Sequence, residues 1–365
     1  MSDKLNVIIA IGGTGGHVFP GCSLASHLSE KKFNIKIVTD KRGYKYLEKF
    51  KHFETTILHS YSIFKNNIFS VFISFIFLFY SIFRSLIFLI FKRPSIIFGM
   101  GGYASFPICL AASILRIKLV IYENNLVIGK ANKYLLPFAK KIFVSNKGLE
   151  GVPKRYQYKV VEIGNIIKKD IIYFSSRSKE KSEDKKINIL IIGGSQAAKV
   201  FAEKLPNIFL KCINDGINIK IFQHCMPSQN ESLKNFYKNN NINFEIFNFS
   251  DDLTKYFLQS DLAITRSGSS MLAELTNANV PFISVPLPSS ADNHQLKNAK
   301  FYQNKNFSYL IEEKDINEQL FKLIKEINKN KSLLINMREN QKQFSDKNVY
   351  NNIDKEIKKI IYEKN

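Results

Sequence analysis

Two stretches hold residue types and spacings suited to chemistry. The first runs from Thr265 to Asn298 and begins Thr-Arg-Ser-Gly-Ser-Ser-Met-Leu-Ala-Glu-Leu. Its small residues Ser267–Ser270 stand between the apolar run Leu262–Ile264 and the helix-forming Met271–Leu275. A strand that ends in small residues at a helix start offers backbone N–H groups and the positive end of a helix dipole, which is a seat for phosphate. Glu274 falls one turn inside that helix, within reach of a sugar hydroxyl. A proline-edged strand, Val280–Pro286, leads to a polar loop ending at His294-Gln295. Phosphate seat, ribose acceptor and hydroxyl-reading loop suggest a nucleotide-sugar pocket, although a plain strand–turn–helix with a capping serine fits the same local sequence.

The second stretch is Gly12-Gly13-Thr14-Gly15-Gly16-His17-Val18-Phe19-Pro20-Gly21. Clustered glycines allow positive φ and close approach of another molecule to the backbone. His17 lies off any apolar stripe. It is a candidate general base, since its pKa lies near neutrality, and equally a donor that pins the loop.

The elements that position these residues alternate strand and helix. Asn6–Ile11 reads as a buried strand, Ser23–Ser29 as a helix and Ile35–Thr39 as a second strand ending at Asp40, a βαβ opening. Asp40 stands where a ribose-binding acid would in a dinucleotide fold, but Gly-x-Gly-x-x-Gly cannot be laid on Gly12–Gly21 without striking Thr14 or Val18. Further strands are expected at Ser95–Phe98, before the glycine turn Gly99-Met100-Gly101-Gly102, and at Leu119–Tyr122, before Glu123-Asn124-Asn125. After the charged stretch Ser175–Lys186 the pattern restarts: Asn188–Gly194 followed by Ser195 echoes Asn6–Gly13 followed by Thr14. The expectation is two doubly wound α/β domains, with ligands at the carboxyl ends of the strands. Residues 316–328 and 347–362 read as helices.

The 365 residues suffice for two such domains. A net charge of +22 favours polyanionic partners: nucleic acid, an anionic membrane surface or phosphorylated substrates. No nucleic-acid-binding motif accompanies it, so nucleic acid is not an expected partner. Cys22, Cys109, Cys212 and Cys225 are scattered and the histidines show no ligand spacing, which argues against zinc or a disulfide framework. Val7–Ala10 is too short for a signal core.

Residues 68–91 stand apart: Phe and Ile dominate, and Lys65, Arg84, Lys92 and Arg93 bracket the run. A helix of this length measures on the order of 36 Å, enough to span a bilayer. A transmembrane span, a core helix and a helix lying in the membrane interface all fit. The interfacial reading accounts best for apolar residues on every face with basic residues at the margins.

Taken in order, Gly12–Pro20, Gly99–Tyr103, Gly164-Asn165, Gly193–Gln196 and Arg266–Glu274 resemble the MurG family of peripheral-membrane N-acetylglucosaminyltransferases of peptidoglycan synthesis. The resemblance implies a GT-B fold of two Rossmann-like domains: residues 1–163 as an acceptor and membrane-docking domain, 164–344 as the donor domain, and a terminal helix near 345–365 packed back on the first. It implies inverting transfer from UDP-N-acetylglucosamine to undecaprenyl-diphosphate-linked muramoyl-pentapeptide (lipid I), giving lipid II at the cytoplasmic face of the bacterial inner membrane. Cell-wall synthesis proteins are possible further partners. No metal is implied, in keeping with the lack of any Asp-x-Asp. Carried over by position, Thr14, Gly15, Gly16 and Asn125 meet the donor, Ser195 the diphosphate or uridine, and Ser250, Ser269, Ser270, Met271, Leu272, Ala273 and Glu274 the nucleotide. Gln295 reads sugar hydroxyls and His17 is the base. The family's proline and arginine after Gly-Asn are here Ile166 and Lys168. The change keeps the charge but loses a bidentate fork. His294 stands where the first of two glutamines is usual, and Ala197 replaces a glycine.

Overall fold

A computed structural model describes residues 5–58, 68–173, 186–194, 199–248, 250 and 252–362, with backbone alone at 68–72. Lys65, Ser195 and the serine-rich stretch at 175–185 lie outside the described residues. The chain forms two compact units, Met1–Lys168 with Lys347–Asn365, and Lys169–Asp346.

Among the described residues the first unit holds a seven-stranded parallel sheet. Its strands are β1 (Asn6–Ala10), β2 (Asn34–Thr39), β3 (Glu54–Ile57), β4 (Ile96–Gly99), β5 (Lys118–Glu123), β6 (Lys141–Val144) and β7 (Val160–Glu162), in the order β3-β2-β1-β4-β5-β6-β7. The second unit repeats the plan with β8 (Ile187–Ile192), β9 (Ile219–His224), β10 (Asn243–Phe247), β11 (Leu262–Thr265), β12 (Phe282–Ser284) and β13 (Ser308–Leu310), in the order β10-β9-β8-β11-β12-β13. Helices on both faces explain why the central strands are near-continuous Val, Ile and Leu. In each sheet the strand order reverses next to the first strand, between β1 and β4 and between β8 and β11. At such switch points the loops diverge and leave a crevice.

The first unit's helices are α1 (Gly15–Glu30), α2 (Lys41–Tyr44), α3 (Ile68–Lys92), α4 (Phe106–Ile114) and α5 (Lys130–Leu135). The second unit's are α6 (Lys169–Ile172), α7 (Lys199–Asn214), α8 (Asn230–Asn239), α9 (Thr254–Gln259), α10 (Ser269–Asn277), α11 (His294–Asn304), α12 (Ile316–Lys329) and α13 (Ser332–Lys342). The last helix, α14 (Val349–Tyr362), belongs to the first unit.

Helix α1 corrects the sequence expectation. It starts at Gly15, not Ser23, and runs through Pro20. Proline has no N–H, so within a helix the carbonyl four residues earlier loses its ladder partner. Here that carbonyl is Gly16, and Asn124 Nδ2 donates to it at 3.1 Å. Helix α13 was not foreseen; it fills the interval between the two expected C-terminal helices.

Helix α3 is turned opposite to the usual amphipathic sense. Ser74, Ser81, Ser85 and Leu89 are buried, while Phe79, Phe83 and Phe91 are 69%, 59% and 82% exposed. The inward serines lie on one face at helical spacing. Ser81 and Ser85 satisfy their hydroxyls on the helix's own backbone, at Phe77 O (2.8 Å) and Ser81 O (2.7 Å). Small, self-satisfied side chains let α3 pack against α4. The apolar bulk is left outside, so a pure core helix is excluded.

Candidate active site

The switch point of the first unit is built from two glycine turns. Gly12 follows β1 so closely that a Cβ there would meet Ala104 Cβ at 2.0 Å, and Gly13 adopts φ +80°. Asp40, at the end of β2, holds this turn. Its Oδ1 accepts from Gly13 N (3.2 Å) and Gly43 N (2.8 Å), and its Oδ2 from Arg42 Nε (3.0 Å). Burial raises the pKa of this carboxyl, but the two backbone donors and Arg42 together outweigh burial and hold it below the ordinary carboxylate value. Asp40 is therefore a buried brace for the turn rather than a sugar ligand.

The second turn follows β4. Ser105 Oγ donates to both Gly101 O and Gly102 O at 3.0 Å. The His17 ring rests on this turn, since a Cβ at Gly101 would stand 3.0 Å from His17 Cε1 and Nδ1. At positive φ (+91° and +79°), Gly101 and Gly102 both make the turn and seat the imidazole. Thr14 caps α1 in an extended conformation, without a side-chain cap. Thr14 and Gly16 are exposed, Gly15 is buried and His17 half-buried. Glycine turns, α1 and His17 thus converge at the β1/β4 switch point.

The end of β5 supplies the third wall. Glu123, 3% exposed, accepts from Asn125 N and Asn125 Nδ2 (3.1 Å each), Gly129 N (2.8 Å) and Asn132 Nδ2 (3.0 Å). Asn125 Nδ2 also donates to Asn124 Oδ1 at 3.2 Å. Asn125 is therefore oriented from beneath by Glu123 and tied through Asn124 to α1. Neither Glu123 nor Asn124 stood among the residues assigned a role from sequence; the signal for Asn124 is the Gly16 carbonyl stranded by Pro20, and that for Glu123 is the set of donors folded back onto it. Lys168, half-buried, acts on the same helix: burial pushes the Cys22 thiol up to about 12 against the opposing pull of the Lys168 charge.

In the second unit the site follows β11. Gly268 caps α10 with no side-chain cap, and the helix ladder opens with Leu272 N to Gly268 O at 3.1 Å. Ser270, Met271 and Glu274 are half-buried. Ser269 is buried, and the Leu272 and Ala273 side chains are core at 0% exposure, so neither of these two side chains offers a surface to a ligand. Ser267 is fully buried, and its Oγ has no hydrogen-bond partner among the described residues. It belongs to the strand-to-helix turn Ser267–Ser270 that the sequence suggests as a phosphate seat. Arg266 is committed internally. Nη1 donates to Val285 O (3.3 Å) and Pro286 O (3.2 Å), Nη2 pairs with Glu313, and the guanidinium lies 5.1 Å from the Phe201 ring centroid. It clamps the turn against β12.

Gln295 opens α11, after the left-handed pair Asp292 and Asn293 (φ 51° and 53°). Its Oε1 accepts from Leu287 N at 2.9 Å, which turns the amide NH2 into the donor it can offer. His294 Nδ1 lies 2.8 Å from Ala291 O and braces the same loop. Ser250 Oγ donates to Asp252 O at 2.7 Å.

Comparison with known proteins agrees with this architecture. The glycosyltransferase family 28 N-terminal domain matches residues 7–144, and the family 28 C-terminal domain matches residues 188–353. A Pelagibacter ubique protein named UDP-N-acetylglucosamine–N-acetylmuramyl-(pentapeptide) pyrophosphoryl-undecaprenol N-acetylglucosamine transferase is 37% identical, over 98% of this chain and 99% of its own. A Rickettsia bellii protein of the same name is 34% identical, over 92% and 94%. The crystal structure of Acinetobacter baumannii MurG superposes with a TM-score of 0.78 at 23% identity, covering 98% of this chain and 99% of that one. Two parallel-sheet units that match the two family 28 domains define a glycosyltransferase of the GT-B class. With relatives this similar over nearly the full length, the chain belongs to the MurG family.

Proposed function

We propose that this chain transfers N-acetylglucosamine from UDP-N-acetylglucosamine to undecaprenyl-diphosphate-linked N-acetylmuramoyl-pentapeptide, forming lipid II with inversion at the anomeric carbon. The observation that carries the reading is the pairing of functions at the two switch points. The first unit seats an imidazole on a glycine turn, and the second offers a helix N-terminus followed one turn later by the half-buried Glu274. In the reaction His17 takes the proton of the acceptor hydroxyl. The hydroxyl oxygen bonds to the anomeric carbon as the bond to the diphosphate breaks, and UDP departs with the electron pair. The N-terminus of α10 opposes the charge that develops on the leaving diphosphate, Glu274 holds the ribose and Gln295 reads a sugar hydroxyl. Lys168 supplies cationic charge beside α1, and no metal enters this chemistry.

The outward Phe and Ile side chains of α3, with Arg84, Lys92 and Arg93 exposed along and beyond it, support peripheral docking on an anionic membrane at its cytoplasmic face. The expected occupant of that face is lipid.

The test is incubation with labelled UDP-N-acetylglucosamine and a short-chain lipid I analogue, in chelator. Disaccharide-lipid should form. His17→Ala should lower kcat by about 100- to 10,000-fold while donor affinity stays within a small factor of wild type. Donor turnover without acceptor would replace the reading by an epimerase, and a full-rate His17→Ala would remove the base.

A further inference from the structure

We propose that Asn124 is a positioning residue for the transfer, and that it acts by replacing the helix hydrogen bond that Pro20 deletes. The proposal rests on reading His17 as the group that takes the acceptor proton. Helix α1 begins at Gly15, so the Gly16 carbonyl lies in its first turn and His17 is the next residue along. In an uninterrupted helix the N–H of residue 20 would hold that carbonyl. Pro20 has none, and the vacant role falls to a side chain from the end of β5: Asn124 Nδ2 donates to Gly16 O at 3.1 Å from a residue only 6% exposed. The direction of this amide is set by chemistry, because a carbonyl only accepts. Asn124 Oδ1 is thereby turned to receive Asn125 Nδ2 at 3.2 Å.

One side chain thus joins the turn that bears His17 to the residue placed at the donor sugar. Glu123 anchors Asn125 and Asn132 beneath them. A helix with a missing rung bends or shifts most easily at that rung, and here the rung sits one residue before the imidazole. Asn124 fixes the helix start in place and, with it, the position of His17 over Gly101 and Gly102. Displacements of about 1 Å at a reacting group lower rates by about 100-fold, so this bond matters more for rate than for folding.

The deletion by Pro20 also supplies the test. Pro20→Ala restores an N–H at position 20 and lets the helix satisfy Gly16 without help. Asn124→Ala should lower kcat by about 10- to 100-fold, with KM for UDP-N-acetylglucosamine changed far less. Asn124→Asp, which sets a carboxylate oxygen against the Gly16 carbonyl, should fall at least as far. Pro20→Ala alone should turn over near the wild-type rate, and Pro20→Ala/Asn124→Ala should recover most of the loss. A second readout is independent of turnover: the His17 imidazole resonances of labelled protein should move in Asn124→Ala and return in the double variant. Equal impairment of the single and double variants, or an unshifted His17 signal in Asn124→Ala, would overturn the proposal. Should wild-type protein give no disaccharide-lipid at all, the assigned reaction fails, and the imidazole signal still decides whether Asn124 positions His17. Should Asn124→Ala not fold, the double variant, which keeps the helix bond, gives the comparison against Pro20→Ala.

Discussion

At the scale of single residues, the site is held by polar groups that never need to touch a substrate. Asp40 is the clearest case. Its place at the end of the second strand invites assignment as a ribose acid, yet the carboxylate faces inward, at 4% exposure, onto Gly13 and Gly43. Its folded pKa lies below the unfolded value of about 3.9. Between those two values the unfolded chain binds a proton that the folded chain does not. The stabilisation is therefore complete above the unfolded pKa and disappears as pH falls through the folded one. Denaturant midpoints measured from pH 6 down to pH 2 should show this loss. Asp40→Asn keeps Oδ1 as an acceptor for both N–H groups but cannot titrate, so its midpoint should fall less steeply below pH 4. Parallel curves for the two proteins would mean that Asp40 is not among the acids responsible. Sequence located Asp40 but not its role, because the role depends on Gly13 and Gly43 folding back onto it.

At the scale of elements, strands and glycine turns were legible and helix faces were not. Parallel strands buried on both sides read as apolar runs, and their ends are marked by Gly12, Gly99 and Gly193. The start of α1 was hidden because Pro20 signals a break, and the side chain that repairs it comes from β5, far along the chain. Helix α3 was located by composition, but its orientation was not, since serines face inward and phenylalanines outward. That inversion makes two opposite predictions for one helix. Ser85→Leu forces bulk into the contact with α4 and should cost about 1–3 kcal/mol, visible as a lower thermal midpoint. Phe79→Ser/Phe83→Ser/Phe91→Ser should leave the midpoint unchanged. It should instead weaken cosedimentation with anionic vesicles by about 1,000-fold or more, since each of the three Phe side chains contributes roughly 1.5–3 kcal/mol when fully buried. A triple variant as unstable as Ser85→Leu would mean the outer face is packed in the folded chain.

At the scale of the whole chain, one unit is continuous in sequence and the other is closed by a segment that returns after 178 residues of the second, Lys169–Asp346. The duplicated strand and Gly-Gly opening made the pair of sheets legible. The destination of α14 is not written in its own periodicity, which specifies an apolar stripe but no partner. Its partners are specific. His27 Nε2 lies 2.8 Å from Asp354 Oδ1, and the His27 and Tyr350 rings are 4.5 Å apart. Tyr350 Oη donates to Ile167 O at 2.6 Å, and Lys118 Nζ to Ile360 O at 2.7 Å. Helix α14 thereby braces α1, the helix that carries His17, from the end remote from the glycine turn. Ile353, at 0% exposure, is the central side chain of its buried face. Ile353→Ala should cost about 2–5 kcal/mol, and the loss should fall on one unit. Hydrogen exchange should quicken at the amides of β1, β4 and β5 and stay at the wild-type rate in β8, β9 and β11. Faster exchange in the second sheet as well would mean that the chain opens as one cooperative body and that α14 stabilises all of it.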